Sequence, residues 1–346
     1  MSSGILFKYK ERIDLDGANP ISMGEGDTPL LYSDFLSDKT GASVYLKIEG
    51  CNPSGSFKDR GMVVAVCKAI QKEKKVLVCA STGNTSASAS AYAAKFGLAS
   101  AIIIPSGNIA KGKLAQAMAF GAKIIAIDGS FDDALNIVRK LENNENIEIV
   151  NSINPYRIEG QKTAAFEIID SLGSLDYLCI PVGNAGNITA YWKGFKEYSD
   201  SRAFAMPQLL GFQAKGAAPM VNNKIVENPE TIATAIRIGN PASWSKAELA
   251  ISESNGGIFS VTDDEIIDAY VNIARNEGIY CEPASAAGVA GLLKLSKDKL
   301  DIGGKTVTCV LTGNGLKDPE TSEKFASSNI FEVKSDIADV LEIIDK

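Results

Sequence analysis

The chain has 346 residues, 45% hydrophobic and 22% charged, with a formal net charge of −7. That length is too great for one small core, so two lobes are expected, and the acidic balance argues against nucleic acid and anionic membranes as partners. Histidine is absent, which removes Ser-His-Asp and Cys-His hydrolysis and most zinc sites; no metal is expected, and proton transfer falls to lysine, carboxylate, tyrosine, a cofactor or the substrate.

The first eight residues, Met1 to Lys8, lack the basic start and long apolar stretch of a signal peptide. No apolar run reaches the ~20 residues a bilayer span needs, and the chain reads as cytoplasmic. Short apolar or β-branched runs predict strands over Ser43–Ile48, Val76–Ala80, Ala101–Pro105, Lys123–Ile127, Tyr177–Pro181, Gln208–Gln213 and Thr306–Leu311. Amphipathic stretches between them predict helices over Phe57–Lys72, Asn84–Phe96, Gly112–Phe120, Phe131–Leu141, Glu159–Leu172, Asn187–Tyr198, Asp263–Glu277 and Ala284–Leu295. Gly97 and Gly121 fit C-caps, and Thr262 before Asp263 and Asp264 fits a helix start. Strand-helix alternation predicts an α/β chain of parallel sheets covered on both faces. The six cysteines form no CxxC pair, and several lie in strand-like runs such as Val307-Thr308-Cys309-Val310-Leu311. They read as buried reduced thiols, with Cys51 set apart by its nearness to Lys58.

Five segments carry chemistry, and most fall at strand-to-helix junctions, where open parallel sheets place ligands. In Ser54-Gly55-Ser56-Phe57-Lys58-Asp59-Arg60, Lys58 sits in the first turn of a helix, where a cation opposes the helix dipole. Alone it reads either as a solvated lysine beside Asp59 or as an amine consumed in a covalent bond to a carbonyl. The loop Ser81-Thr82-Gly83-Asn84-Thr85-Ser86-Ala87-Ser88 reads as a helix cap or as an anion site for a carboxylate or phosphate. In Asn151-Ser152-Ile153-Asn154-Pro155-Tyr156-Arg157, Arg157 could fork onto an anion with Ser152 and Asn154 as further donors, or pair with Glu159 at the surface. Gly183-Asn184-Ala185-Gly186-Asn187 reads as a phosphate cradle or an empty tight turn; it is neither a Walker A loop nor a dinucleotide fingerprint. Thr312, in Leu311-Thr312-Gly313-Asn314-Gly315, would point a hydroxyl into the same crevice from a strand end.

These loops in this order resemble the fold type II family of pyridoxal 5′-phosphate (PLP) enzymes, and within it the threonine synthases. The resemblance runs from Gly24-Glu25-Gly26-Asp27-Thr28-Pro29-Leu30 to Thr312-Gly313-Asn314-Gly315. Asn154-Pro155-Tyr156-Arg157-Ile158-Glu159-Gly160-Gln161-Lys162-Thr163 and the segment Gly183 to Asn187 are its most specific parts. It implies two α/β domains, each a mostly parallel twisted sheet covered by helices: a small one over 51–151, and a large one from 1–50 and 152–346 that carries the PLP phosphate loop. Lys58 would anchor PLP covalently. Gly183, Asn184, Ala185, Gly186 and Asn187 would hold the cofactor phosphate, Asn84 its ring hydroxyl, and Thr312 its pyridine nitrogen. The substrate carboxylate would lie on Ser81, Thr82, Asn84 and Thr85, and its phosphate on Ser152, Asn154 and Arg157. The implied reaction takes O-phospho-L-homoserine and water to L-threonine and phosphate in a homodimeric lyase, with Lys58 moving the protons. Two other readings share the scaffold: a serine/threonine dehydratase, which needs no phosphate clamp, and a non-catalytic amino-acid-binding paralogue, against which the intact Lys58 argues.

Overall fold

The computed structural model describes residues 3–106, 111–152, 154–297, 301–326 and 330–344. Its strands are β1 (Leu30–Tyr32), β2 (Ser43–Ile48), β3 (Val76–Ala80), β4 (Ala99–Pro105), β5 (Lys123–Ile127), β6 (Ile147–Ile149), β7 (Tyr177–Pro181), β8 (Gln208–Ala214), β9 (Gly257–Val261) and β10 (Thr306–Leu311). Its helices are α1 (Ile5–Lys8), α2 (Asp34–Thr40), α3 (Lys58–Gln71), α4 (Asn84–Lys95), α5 (Lys111–Ala119), α6 (Phe131–Lys140), α7 (Tyr156–Gln161), α8 (Thr163–Leu172), α9 (Gly186–Ser199), α10 (Trp244–Glu253), α11 (Asp263–Glu277), α12 (Pro283–Lys297), α13 (Pro319–Ala326) and α14 (Ile337–Ile344).

The strands form two sheets, one ordered β1-β2-β10-β7-β8-β9 and the other β5-β4-β3-β6. Both are parallel throughout except for the antiparallel edge pair β1–β2. Central strands such as β10 are buried on both faces, which is why Val307 to Leu311 reads as a continuous run rather than an alternating one. Parallel strands need crossover helices, and those helices put the loops after β3, β7 and β10 at the carboxyl ends of their sheets.

The expected strands and helices are all present. Gly97 and Gly121 adopt the left-handed torsions their C-cap reading requires, with φ of 72° and 80°. Thr262 and Glu265 close a reciprocal capping box at the start of α11. The stretch expected as one helix over Glu159–Leu172 is two, α7 and α8, although Lys162 between them keeps helical torsions. The strands β1, β6 and β9 were not expected. Three residues of β1 or β6 carry no period, and their pairing comes from neighbours distant in sequence. The six cysteines are free thiols, Cys51 exposed and the other five buried.

A buried ion network seats the start of α3. Arg60 clasps two carboxylates bidentately: Nε and Nη2 donate to Glu49 at 2.7 and 2.8 Å, and Nη1 and Nη2 to Glu167 at 2.7 Å each. Lys47 Nζ donates to Glu167 Oε2 and to the Thr28 carbonyl, each at 2.7 Å. Two cations and two anions are thereby removed from water together, and their fixed geometry joins α3 to β2, α8 and the segment around Thr28.

α3 and α7 cross almost backbone to backbone. A Cβ on Gly160 would lie 1.8 Å from the Arg60 carbonyl oxygen. Gly160→Ala must therefore drive the two helices apart. Its expected cost is at least the roughly 1–3 kcal/mol typical of overpacking, read as a lower urea midpoint at unchanged slope. Because α3 carries Lys58 and α7 carries Arg157, cofactor affinity should fall with it.

Candidate active site

A cavity of about 2070 Å³ opens between the ends of the two sheets. Lys58, Ser81, Thr82, Asn84, Thr85, Ser152, Arg157, Thr312 and the whole loop Gly183 to Asn187 line it. One expected member is missing from the lining. Asn154 donates to the Ile149 carbonyl at 2.7 Å and to Glu148 Oε1 at 2.9 Å, and accepts from the Tyr156 amide at 3.0 Å. Its side chain is engaged in seating the start of α7 against β6, and its backbone carbonyl accepts the Arg157 amide at 3.2 Å.

Lys58 stands in the first turn of α3, with its ammonium 4.4 Å from the Phe57 ring centroid. Burial, reinforced by the Arg157 guanidinium, pushes its amine well below the ordinary lysine range, and Glu282 opposes this only partly. Asp59 does not solvate it. That carboxylate is fully buried and accepts from the Ser54 amide at 2.6 Å and from the Ser54 and Ser88 hydroxyls at 2.5 Å each. Burial pushes the Asp59 carboxyl up to about 6, against the lowering effect of those hydrogen bonds. Lys58 is half-buried and lines the cavity, and Asp59 is held by Ser54 and Ser88, so the reading of a surface lysine beside Asp59 does not hold.

Two helix N-termini face the cavity without side-chain caps. α4 begins at Asn84 after Gly83; Ser81 Oγ accepts the Gly83 amide at 3.2 Å, and no side-chain cap is seen on the first turn itself. α9 begins at Gly186 after Ala185, which lies in the left-handed region with φ 63°, and it too is uncapped. Beside it, both Oδ1 and Nδ2 of the buried Asn187 lack a protein partner. Free amides and an unsatisfied side-chain amide at a helix N-terminus are the donor set of a phosphate site.

Arg157 is 2% exposed and has no acidic partner among the described residues; Nη1 donates to the Val150 carbonyl at 3.2 Å and Nε is unsatisfied. Glu159, its expected surface partner, instead binds Lys162 and Lys193. Burial pushes the Arg157 guanidinium down to about 10. A buried guanidinium without a counter-charge is costly unless an anion joins it.

The segment after β10 and the start of α12 bring three residues that sequence reasoning missed. Ser285 Oγ accepts the Gly313 amide at 2.9 Å and lies 3.0 Å from Thr312 Oγ1. Glu282 and Lys317 line the cavity, and Lys317 Nζ donates to Gln116 Oε1. The signal for Glu282 was weak, since an acid just ahead of Pro283 reads as an ordinary helix start.

The lining therefore fits a phosphorylated aromatic carbonyl cofactor: a cradle with unsatisfied donors, a lysine of depressed basicity, and Asn84 and Thr312 on the same cavity wall. The comparisons agree. The sequence pattern of the family described as "Pyridoxal-phosphate dependent enzyme" matches residues 21–313. Threonine synthase from Halalkalibacterium halodurans is 57% identical over 321 residues, covering 92% of this chain and 91% of the relative. The threonine synthase of Synechocystis is 51% identical over 348 residues, 99% of this chain and 90% of the relative. Among solved structures, an L-serine ammonia-lyase from Rhizomucor miehei has a TM-score of 0.75 at 22% identity, covering 88% of this chain and 99% of that one. Maize serine racemase has a TM-score of 0.74 at 20% identity, covering 95% and 98%. At that identity the solved structures show the fold alone. The chain belongs to the pyridoxal-phosphate dependent enzymes, with PLP as its cofactor. Within that family its place is among the threonine synthases.

Proposed function

We propose that this cavity converts O-phospho-L-homoserine and water to L-threonine and phosphate. The observation that carries the reading is Arg157, a buried guanidinium without a carboxylate partner among the described residues, lining the same cavity as the donor-rich loop Gly183 to Asn187. A reaction of a phosphorylated amino acid with a phosphorylated cofactor needs two such sites.

PLP, when bound, supplies the electron sink that takes up negative charge from the substrate's Cα. Lys58 would anchor it, the loop Gly183 to Asn187 with its uncapped amides would take its phosphate, Asn84 would hold the ring hydroxyl, and Thr312 would meet the ring nitrogen. The hydroxyls of Ser81, Thr82 and Thr85 and the free amides at the start of α4 take the substrate carboxylate. Arg157 and Ser152 take the substrate phosphate; Asn154 is left out of that clamp for the reason given above. Lys58, whose low basicity leaves a neutral amine available, moves the protons at Cα, Cβ and Cγ. Arg157 would also hold the departing phosphate.

Arg157→Ala tests this directly. KM for O-phospho-L-homoserine should rise on the order of 10–100-fold, the loss of charge-assisted hydrogen bonds to one phosphate. The absorbance of bound PLP should not change. Deamination of serine or threonine, which requires no clamp, should be untouched. An Arg157→Ala enzyme with unaltered KM for the phosphorylated substrate would return the site to the dehydratase reading.

Three parts of the reading rest on the resemblance: division into a small domain over 51–151 and a large one from 1–50 and 152–346, a homodimer, and a cytoplasmic setting. The first is supported by the placement of β3 to β6 in one sheet, and closure of the cleft would keep water out until it is needed. Sedimentation at micromolar concentration checks the second.

A further inference from the structure

Glu282 is a carboxylate in the cavity that none of the assigned roles uses. It is 5% exposed, and both its oxygens lie within hydrogen-bonding distance of Asn84 Nδ2, at 2.9 and 3.1 Å. A carboxylate can only accept, so the Asn84 amide must turn its nitrogen toward Glu282. No hydrogen bond among the described residues ends on Asn84 Oδ1, which stays available to the cavity. Glu282 is itself held: its backbone amide donates to the Gly313 carbonyl at 3.0 Å. A Cβ at Gly313 would lie 2.4 Å from Glu282 Oε1, so the carboxylate occupies space that only a glycine leaves open. The pair joins the loop after β3 to the start of α12, 198 residues apart, and so ties the four-stranded sheet's side of the cavity to the six-stranded one. Lys58, Lys317 and Asp318 are the other charged groups that act on it.

We propose that Glu282 is a positioning residue: it fixes the rotation and the sense of the Asn84 amide, and so determines which face of that amide meets the cofactor ring. This deepens the reading above and rests on Asn84 facing the ring. The role is indirect, because Glu282 acts through Asn84 while burial keeps the carboxylate out of water. Burial raises the Glu282 carboxyl above the usual range, and the Asn84 hydrogen bond and the two lysines counter it.

The test compares Glu282→Ala, Asn84→Ala and the double variant, each refolded with PLP. The readouts are the position of the visible absorption band of bound PLP and the PLP dissociation constant from fluorescence titration of apoprotein. Glu282→Ala should shift the band and weaken PLP binding about tenfold, as expected for losing one hydrogen bond to a charged group. The double variant should be no worse than Asn84→Ala, because the two residues act as one unit. Glu282→Gln, which keeps an acceptor for Asn84 at the same volume, should restore the band. Should the alanine variant not fold, Glu282→Asp withdraws the carboxylate by one methylene and carries the same expectation for band and affinity. An unchanged band and affinity in Glu282→Ala, additive losses in the double variant, or a Gln variant no better than Ala would each overturn the proposal. If Asn84→Ala alone changes neither readout, the assignment of Asn84 fails first; if it changes both while Glu282→Ala changes neither, only the role of Glu282 fails.

Discussion

Lys58→Ala should abolish covalent capture of PLP and reduce turnover by at least about 10³-fold, since anchor and proton carrier are lost in one step. Borohydride reduction of the parent enzyme followed by peptide mass analysis should place the cofactor on the peptide containing Lys58, and no peptide of the variant should carry it. Noncovalent PLP should still bind through the unsatisfied donors at Asn187 and the α9 N-terminus. The depressed basicity of Lys58 has its own consequence in the apoprotein. Burial, with Arg157 adding to it, holds the folded-state amine well below the ordinary 10.5. The unfolded chain therefore binds the proton more tightly, and stability is lost as pH falls from 10.5 toward the folded value. Lys58→Met, similar in length and uncharged, should raise the urea midpoint of apoprotein at neutral pH and flatten that dependence. An apoprotein whose Lys58 acylates no faster than exposed lysines at neutral pH would contradict the assignment.

Glu167→Ala should be the most damaging change away from the cavity. It leaves Arg60 and Lys47, both buried, with Glu49 as the remaining carboxylate of the network. Breaking a buried pair from one side costs about 3–5 kcal/mol, a large share of the 5–15 kcal/mol that holds a typical protein folded. Denaturant unfolding should show the loss, and low soluble yield is expected. The pH dependence has a definite sign. Burial pushes the Glu167 carboxyl up, but Arg60 and Lys47 outweigh burial and hold it far below the ordinary 4.5. Its stabilisation is thus fully present above pH 4.5 and is lost as pH falls below that value toward the folded-state pKa. Glu167→Gln should start less stable at neutral pH and lose less on acidification. Parallel acid-unfolding curves for the parent and Glu167→Gln would show that the network does not carry this linkage.

Strand and helix positions were legible because apolar runs and amphipathic periods are local properties, and most expected elements agree with the structure to within two residues. β1 and β6 were not legible, since three residues carry no period. The candidate site was legible as loops at strand ends, and the resemblance put them into one pocket. Lys58, the loop from Ser81, the loop from Gly183 and Thr312 do line a single cavity.

What the amino-acid sequence by itself determined is the alternation of parallel strands and helices, the placing of small and hydroxyl-bearing residues at their junctions, and a lysine at a helix start where a free cation is unfavourable. Only the tertiary structure decided that Arg157 has no acidic partner among the described residues while Glu159 has two basic ones, that Asn154 binds Glu148 and Ile149 outside the cavity lining, and that Glu282 meets Asn84 across 198 residues. The physical reason is common to all three. Whether a polar side chain binds a ligand or the protein depends on which donors and acceptors packing brings within about 3 Å of it. Those partners come from elements far apart in the chain, and neither period nor motif records them.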